Sequence, residues 1–269
     1  MKDYLYIDSN DDAHQAKFKV SDTPKIDYLI KEKRFDEALD EINQLLKSNY
    51  TSDNLNLKGI ILDNLSQHKE SIEFFDKSLS ENYSNDVQLN KANALYHWAK
   101  ITFFPEGDHE KALKLIDCAL ENIPDNEDPS EFYFLKAEIL EGLNDLVEAQ
   151  KAYLIAYKEF DRLKELEYQI EYLKSTDDIL INIVGSSFYD FTPKRGDLVE
   201  LVKDENNEHD PDAIAVVRDG KTVGYVANNP YTLIDEVKSA SSIVKSMNEM
   251  QKAEIIFIYL GEYVLAKLL

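Results

Sequence analysis

From Asp22 to about Lys174, apolar residues recur at i, i+3 and i+4 among helix formers with glycine almost absent, which predicts one helix after another. A unit recurs inside this stretch: an aromatic residue or histidine, a small residue three positions on, an apolar residue next to it, and further apolar or small positions at helical spacing. It reads Phe35, Ala38, Leu39, Ile42, Leu45, Leu46, and again His68, Ser71, Ile72, Phe75, Ser78, Leu79. The third copy is His109, Ala112, Leu113, Ile116, Ala119, Leu120, and the fourth is Leu146, Ala149, Gln150, Tyr153, Ala156, Tyr157. From Ala38 to Ser71, Ala112 and Ala149 the steps are 33, 41 and 37 residues, a period at which helix pairs bury their apolar faces only by stacking on one another. The helices before the last three markers pair a small residue with a large one: Gly59 with Leu62, Ala92 with Leu95, Ala137 with Leu140. The opening helix, Ile26 to Lys31, is short, and Phe104-Pro105-Glu106-Gly107 is an insertion. FDRLKELEYQIEYLKS predicts one more amphipathic helix, placed to cover the apolar edge that a last repeat leaves.

After the polar boundary Ser175-Thr176-Asp177-Asp178 the pattern changes to β-branched and aromatic residues in alternation. ILINIVGSSFYDF opens this part. Strands follow at Leu198 to Lys203 and Ala213 to Arg218, then a tight Asp219-Gly220 turn and a strand ending at Val226. Asp-Gly between alternating apolar runs is the strongest short hairpin signal available. Asn229-Pro230 reads as the cap and first residue of a helix to about Ser239, and AEIIFIYL with EYVLAKLL, joined at Gly261, reads as a closing hairpin.

Two resemblances follow from these residues. The helical units resemble tetratricopeptide repeats, in which small residues let helices approach and large ones fill the seam, and Pro124 stands where that family closes a helix. The C-terminal third resembles the HIRAN domain, a small β-barrel-like module, through Asn206, Asn207, Asp210, Ala213, Ile214, Val216, Gly220, Val223, Gly224, Tyr225 and Val226. The expected fold is therefore α+β in two domains. A loosely ordered arm over 1–22 precedes a tetratricopeptide-like all-α array with a capping helix over 23–175, and a HIRAN-like barrel with a helix spans 177–269.

Charge changes the picture most. With 52 acidic against 30 basic residues the net charge is −22, so the chain as a whole repels nucleic acid. From Asp177 onward there are 16 acidic and 9 basic residues (−7), leaving 36 against 21 (−15) before it, so most of the repulsion belongs to the helices. Cys118 is the one cysteine, which excludes an internal disulfide and fits a reducing, cytoplasmic setting. The N-terminus shows no apolar signal core and no run approaches a membrane span, so the expectation is a soluble protein without membrane partners.

HIRAN relatives capture the 3′ end of single-stranded DNA, with aromatic rings stacking the terminal bases and a loop carboxylate meeting the terminal hydroxyl. By position the resemblance implies Phe188 and Tyr189 as the rings and Asn207 and Asp210 as the loop pair. Where relatives often carry basic residues this chain has Ser187 and Asn228, and Lys194, Arg195, Arg218 and Lys221 are the cations available to compensate. The alternative for Asn207 and Asp210 is that they brace a tight loop by bonding its backbone. In the array, the first-helix register assigns Asn56, Asp63, Asn64, Asn90, Asn93, Tyr96, His97, Phe134, Glu138 and Glu141 to a concave groove, acidic and amide-rich, suited to a basic or neutral segment of a protein partner. The alternative is a solvated polar face.

The acidic loop from Asp204 to Asp212 lacks the glycine a calcium loop needs at its sixth position, where His209 stands, and the other histidines are not paired as in zinc sites. Pro211-Asp212 with Glu236-Val237-Lys238 matches a metal-dependent nuclease pattern, but its second half falls on an expected helix instead of a strand. No glycine-rich phosphate loop or nucleophile elbow occurs. The expectation is a non-enzymatic binding protein without cofactor or metal, contacting single-stranded DNA and a protein partner in DNA repair or replication. The alternative is a pure protein-interaction adaptor.

Overall fold

A computed structural model describes residues 4–7, 16–19, 24–247 and 249–269. The chain divides into two compact units, Met1–Glu159 and Phe160–Leu269.

In the first unit, helices come in antiparallel pairs: α1 (Pro24–Lys31) with α2 (Phe35–Leu45), α3 (Ser52–Asn64) with α4 (His68–Glu81), α5 (Asn85–Phe103) with α6 (His109–Glu121), and α7 (Ser130–Gly142) with α8 (Leu146–Ala156). The second helix of every pair starts on the residue that opens the sequence unit: Phe35, His68, His109, Leu146. Three of the turns share one geometry. Lys33, Ser66 and Asn144 each have φ between 55° and 61°, and the following amide reaches back to Leu29, Leu62 or Leu140 at 2.8–2.9 Å, closing the helix end in the Schellman manner. Asp108 and Asp145 then cap α6 and α8, accepting from the amides of Lys111 and Glu148. The third pair carries the insertion instead, with Gly107 at φ 75°.

The small positions act as expected of close approach. A Cβ on Gly59 would lie 2.6 Å from the ring of Phe75, and Ser71 donates to the Gly59 carbonyl at 2.8 Å, so α3 and α4 touch at backbone distance. Ile26, Ile30, Ala38, Ile42, Ile60 and Phe75 form one core cluster, and Ala92, Ala99, Ala112, Ile116, Phe132 and Ile139 form the next along the array.

Two expectations change here. Part of the N-terminal arm is a hairpin, β1 (Tyr4–Ile7) against β2 (Ala16–Lys19), with β2 lying beside α3 and α5; the rest of residues 1–22 lies outside the described residues. The capping helix α9 (Phe160–Ser175) groups with the second unit instead of the array, because the Tyr172 ring meets Phe257 at 5.7 Å and its hydroxyl donates to Asp178 at 2.6 Å.

The second unit is a closed six-stranded barrel in the order β3-β6-β5-β4-β7-β8: β3 (Leu180–Val184), β4 (Leu198–Lys203), β5 (Ile214–Arg218), β6 (Lys221–Val226), β7 (Met250–Tyr259) and β8 (Tyr263–Leu268). Alternation fills the interior, with Ile181 and Ile183, Val199 and Leu201, Ile214 and Val216, Ala253 and Ile255, and Val264 and Ala266 all pointing inward. Asp219 and Gly220 both have positive φ, as a two-residue hairpin turn demands. Gly224 answers a different need: a Cβ there would sit 2.8 Å from the Val184 carbonyl, where β6 crosses β3. The helix expected from Pro230 to Ser239 does not form. Only a 3₁₀ turn, Pro230–Thr232, follows Asn229; Leu233 is extended, and the Lys238 amide is drawn to the Leu180 carbonyl at 2.7 Å. The helix between β6 and β7 is instead α10 (Ala240–Ile243), whose Ala240 and Ile243, with Met247, join the barrel core.

Candidate functional site

β3 ends at Gly185, whose φ of 76° turns the chain into a 3₁₀ turn, Ser186–Tyr189. That turn leaves Phe188 89% exposed, and holds Tyr189 with its ring centroid 6.2 Å from Tyr225 on β6. Tyr225 in turn donates its hydroxyl to Asp204 at 3.0 Å, at the start of the acidic loop. Burial, followed by that bond and the Asp204 charge, pushes the Tyr225 phenol up to about 12.

The loop residues are heavily engaged. Asn207 donates to Asp204 at 3.2 Å and accepts from the amides of His209 and Asp210 at 3.0 and 3.1 Å. Asp210 accepts from the Asp212 amide on one oxygen at 2.9 Å and from the Asn228 side chain on the other at 2.8 Å. The bracing role read as an alternative is therefore real, and it is also the means by which the loop holds a carboxylate in place. Asn228, read as the loss of a cation, ties the loop to α10: its side-chain oxygen accepts from both the amide and the hydroxyl of Ser241.

Tyr189, Asn207 and Asp210 are thus linked on the barrel surface through Tyr225 and Asp204, with Phe188 next to Tyr189 in the chain and Asn228 holding Asp210 from the far side. The cations are less available. Arg195 lies 3.7 Å from Glu165, and Arg218 pairs with Asp197 at 2.9 Å with its guanidinium 5.5 Å from the Phe191 ring. Lys194 adjoins this group, its amide donating to Asp197. Sequence reasoning missed Tyr231, which is 92% exposed on the 3₁₀ turn. The expected helix hid it, although an aromatic directly after Asn-Pro was the available signal.

Residues 177–257 match the HIRAN domain model. This HIRAN match begins just ahead of β3 and takes in the aromatic turn, the acidic loop, Tyr225 and Asn228. The helices match no tetratricopeptide model and stand as a helical repeat array. No curated protein matches the chain. A solved structure described as "MamA RS-1 ArsTM double mutant" is similar over 50% of this chain and 70% of its own, at 18% identity and a TM-score of 0.37.

The array corrects the predicted groove. Asn56, Asn93 and Tyr96 are buried instead of lining an open surface. The Asn90 amide donates to the Asn56 oxygen at 3.1 Å, joining α5 to α3, and Tyr96 packs its ring on Phe132 at 5.1 Å. Asn64 and His97 are half-buried, and Phe134 is 37% exposed. Asp63 accepts from the Nδ1 atoms of His68 at 2.7 Å and His97 at 2.8 Å, an arrangement no local spacing announced. Burial opposes its ionisation, yet the two histidine bonds and charges outweigh burial and hold the carboxyl below its ordinary value. A signal existed: Asn56 and Asn90, and Asp63 and His97, are both 34 residues apart, so equivalent faces of α3 and α5 meet twice. Among the described residues no three His, Cys, Asp or Glu side chains converge as a metal site requires, and no described helix is long and apolar enough to cross a membrane.

Proposed function

We propose that the barrel binds the 3′ end of single-stranded DNA, that the helical array recruits a protein partner, and that the setting is DNA repair or replication. The observation that carries this is the 3₁₀ turn at Phe188. A phenylalanine ring left 89% exposed beside Tyr189 adds nothing to the barrel core, whereas a base offers either ring a π face whatever its sequence. The HIRAN match supports the reading, because it takes in this turn and the braced Asn207–Asp210 loop, the two places where the resemblance implies end binding. Asp210, with both oxygens oriented by N–H donors, keeps lone pairs for a terminal hydroxyl. The module is non-enzymatic in this reading.

Charge favours a second reading, a protein adaptor without nucleic-acid binding, since Arg195 and Arg218 are neutralised by carboxylates. Fluorescence anisotropy of a short labelled strand at low and moderate salt separates the two. End recognition predicts binding to a 3′ hydroxyl that is lost with a 3′ phosphate and with Phe188→Ala. Absence of binding at low salt refutes it and leaves the adaptor.

A further inference from the structure

The last helix pair carries three clustered aromatic rings: Tyr153 packs on one side against the core of Ala137, Leu140, Ala149 and Ala152, while Phe134 and Tyr157 are exposed. Phe134 on α7 meets Tyr153 of α8 and Tyr157, just past the end of α8, at centroid distances of 5.5 and 6.1 Å, standing at 71° and 85° to them. Tyr153 and Tyr157 lie within 18° of parallel, 6.3 Å apart. Two near-parallel rings with a third perpendicular to both make a corner of π faces and edges. It is open, for Tyr157 is 61% exposed and Phe134 37%.

Carboxylates flank it. Glu138 and Glu141 follow Phe134 at i+4 and i+7 on the same face of α7, and Glu141 accepts from the Tyr153 hydroxyl at 2.9 Å. Burial, then the charge of Glu141, holds Glu138 above its ordinary value, with Lys100 acting the other way. A half-buried Glu138 and an exposed Glu141 beside electron-rich rings form a negative site, on a part of the chain that already carries an excess of acid. The lysines nearest in sequence are turned elsewhere: Lys136 to Asp117 at 2.8 Å, Lys151 to Glu148 at 2.6 Å and Lys158 to Asp128 at 2.7 Å.

We infer that the corner formed by Phe134, Tyr153 and Tyr157, with Glu138 and Glu141, is a receptor for the cationic side chain of an arginine or lysine on a protein partner. A cation over aromatic faces gains from the ring quadrupole, and an arginine adds planar stacking and N–H donors for a carboxylate. The site names the chemistry of the partner proposed for the helical array and rests on that reading.

The probe is a ten-residue glycine-serine peptide carrying two arginines, titrated into the full chain and followed by the aromatic NMR signals, with lysine and citrulline versions alongside. Citrulline keeps the shape and removes the charge. Arginine peptide binding that weakens at least tenfold with citrulline, with Tyr157→Ala and with Glu138→Gln/Glu141→Gln, while Tyr153→Phe changes it less than threefold, supports the site. Tyr157 is exposed, so its removal leaves the fold intact, as circular dichroism will check. No binding of the arginine peptide at low salt, or binding indifferent to Tyr157→Ala, overturns it. The wider reading fails separately: a partner identified by cross-linking to the chain that is unaffected by Asn64→Arg, by His97→Ala and by Phe134→Ala does not use the array's concave face, whatever the arginine peptide does.

Discussion

Replacing Asp63 by alanine tests how the helical pairs are held in register. In the native array one carboxylate, its side chain 11% exposed, receives Nδ1–H groups from His68 of its own helix pair and His97 of the next. Alanine removes the acceptor from both. The His68 ring is buried, so its donor is left without water, at a cost of about 1–3 kcal/mol for an orphaned buried group. His97 is more open and can turn its donor to solvent at smaller cost. Breaking a buried charged network costs about 3–5 kcal/mol in general, and the openness of His97 places this case near the lower end, about 3 kcal/mol. Urea unfolding followed by helical circular dichroism measures it, with Glu73→Ala on the exposed side of α4 as a reference expected within about 0.5 kcal/mol of wild type. The pH dependence has a definite sign. The folded carboxyl titrates below the ordinary value, so its contribution is complete above about pH 4 and lost as pH falls through the lowered folded value. The gap between wild type and Asp63→Ala should therefore shrink in acid. A loss under about 1 kcal/mol at pH 7, or a gap that widens below pH 4, refutes the reasoning.

Gly224→Ala should destabilise the barrel by about 1–3 kcal/mol, since the new methyl meets the Val184 carbonyl at 2.8 Å; an unchanged melting temperature counts against that packing. Phe188→Ala should leave thermal stability within about 0.5 kcal/mol of wild type, because the ring is exposed, while single-strand affinity falls at least tenfold; equal affinity excludes stacking on this turn. Asn228→Ala should loosen the acidic loop from α10, seen as faster amide hydrogen exchange at Asp210 and Ser241, and exchange at the native rate refutes the tie. Ultraviolet titration should find the Tyr225 phenol ionising near pH 12 and earlier in Asp204→Asn, and the same midpoint in both proteins removes Asp204 as a cause.

Much of the fold was legible because local rules carry it. Helix starts fall on the recurrent unit, since at Phe35, His68 and Leu146 the marker residue sits where a Schellman turn releases the chain into the next helix, and that turn depends on only a few neighbouring residues. The alternation from Leu180 to Leu268 specified strands with one buried face, and Asp219-Gly220 specified the turn between two of them. The candidate rings and loop pair were named from their positions, and the loop's Asn and Asp chemistry foretold its bracing.

The remainder was decided by contacts between residues far apart in the chain. Asn229-Pro230 carries a sound helix start, yet the Lys238 amide bonds Leu180, the Thr232 carbonyl accepts from the Asn182 side chain and Val237 is buried, so tertiary contacts overrode propensity. Asn56, Asn93 and Tyr96 stand at groove positions by register, but the pairing of α3 with α5 and the ring of Phe132 bury them. The joining of Asp63 to His97 required neighbouring helix pairs to be stacked, and that of Phe134 to two tyrosines required α7 and α8 to fold back on each other. Sequence by itself determined the apolar inward faces of the paired helices and barrel strands and the starts of the repeat helices, because those follow from periodicity and turn chemistry. Only the tertiary structure decided which polar and aromatic residues stay open to a ligand, because burial depends on neighbours supplied by distant parts of the chain.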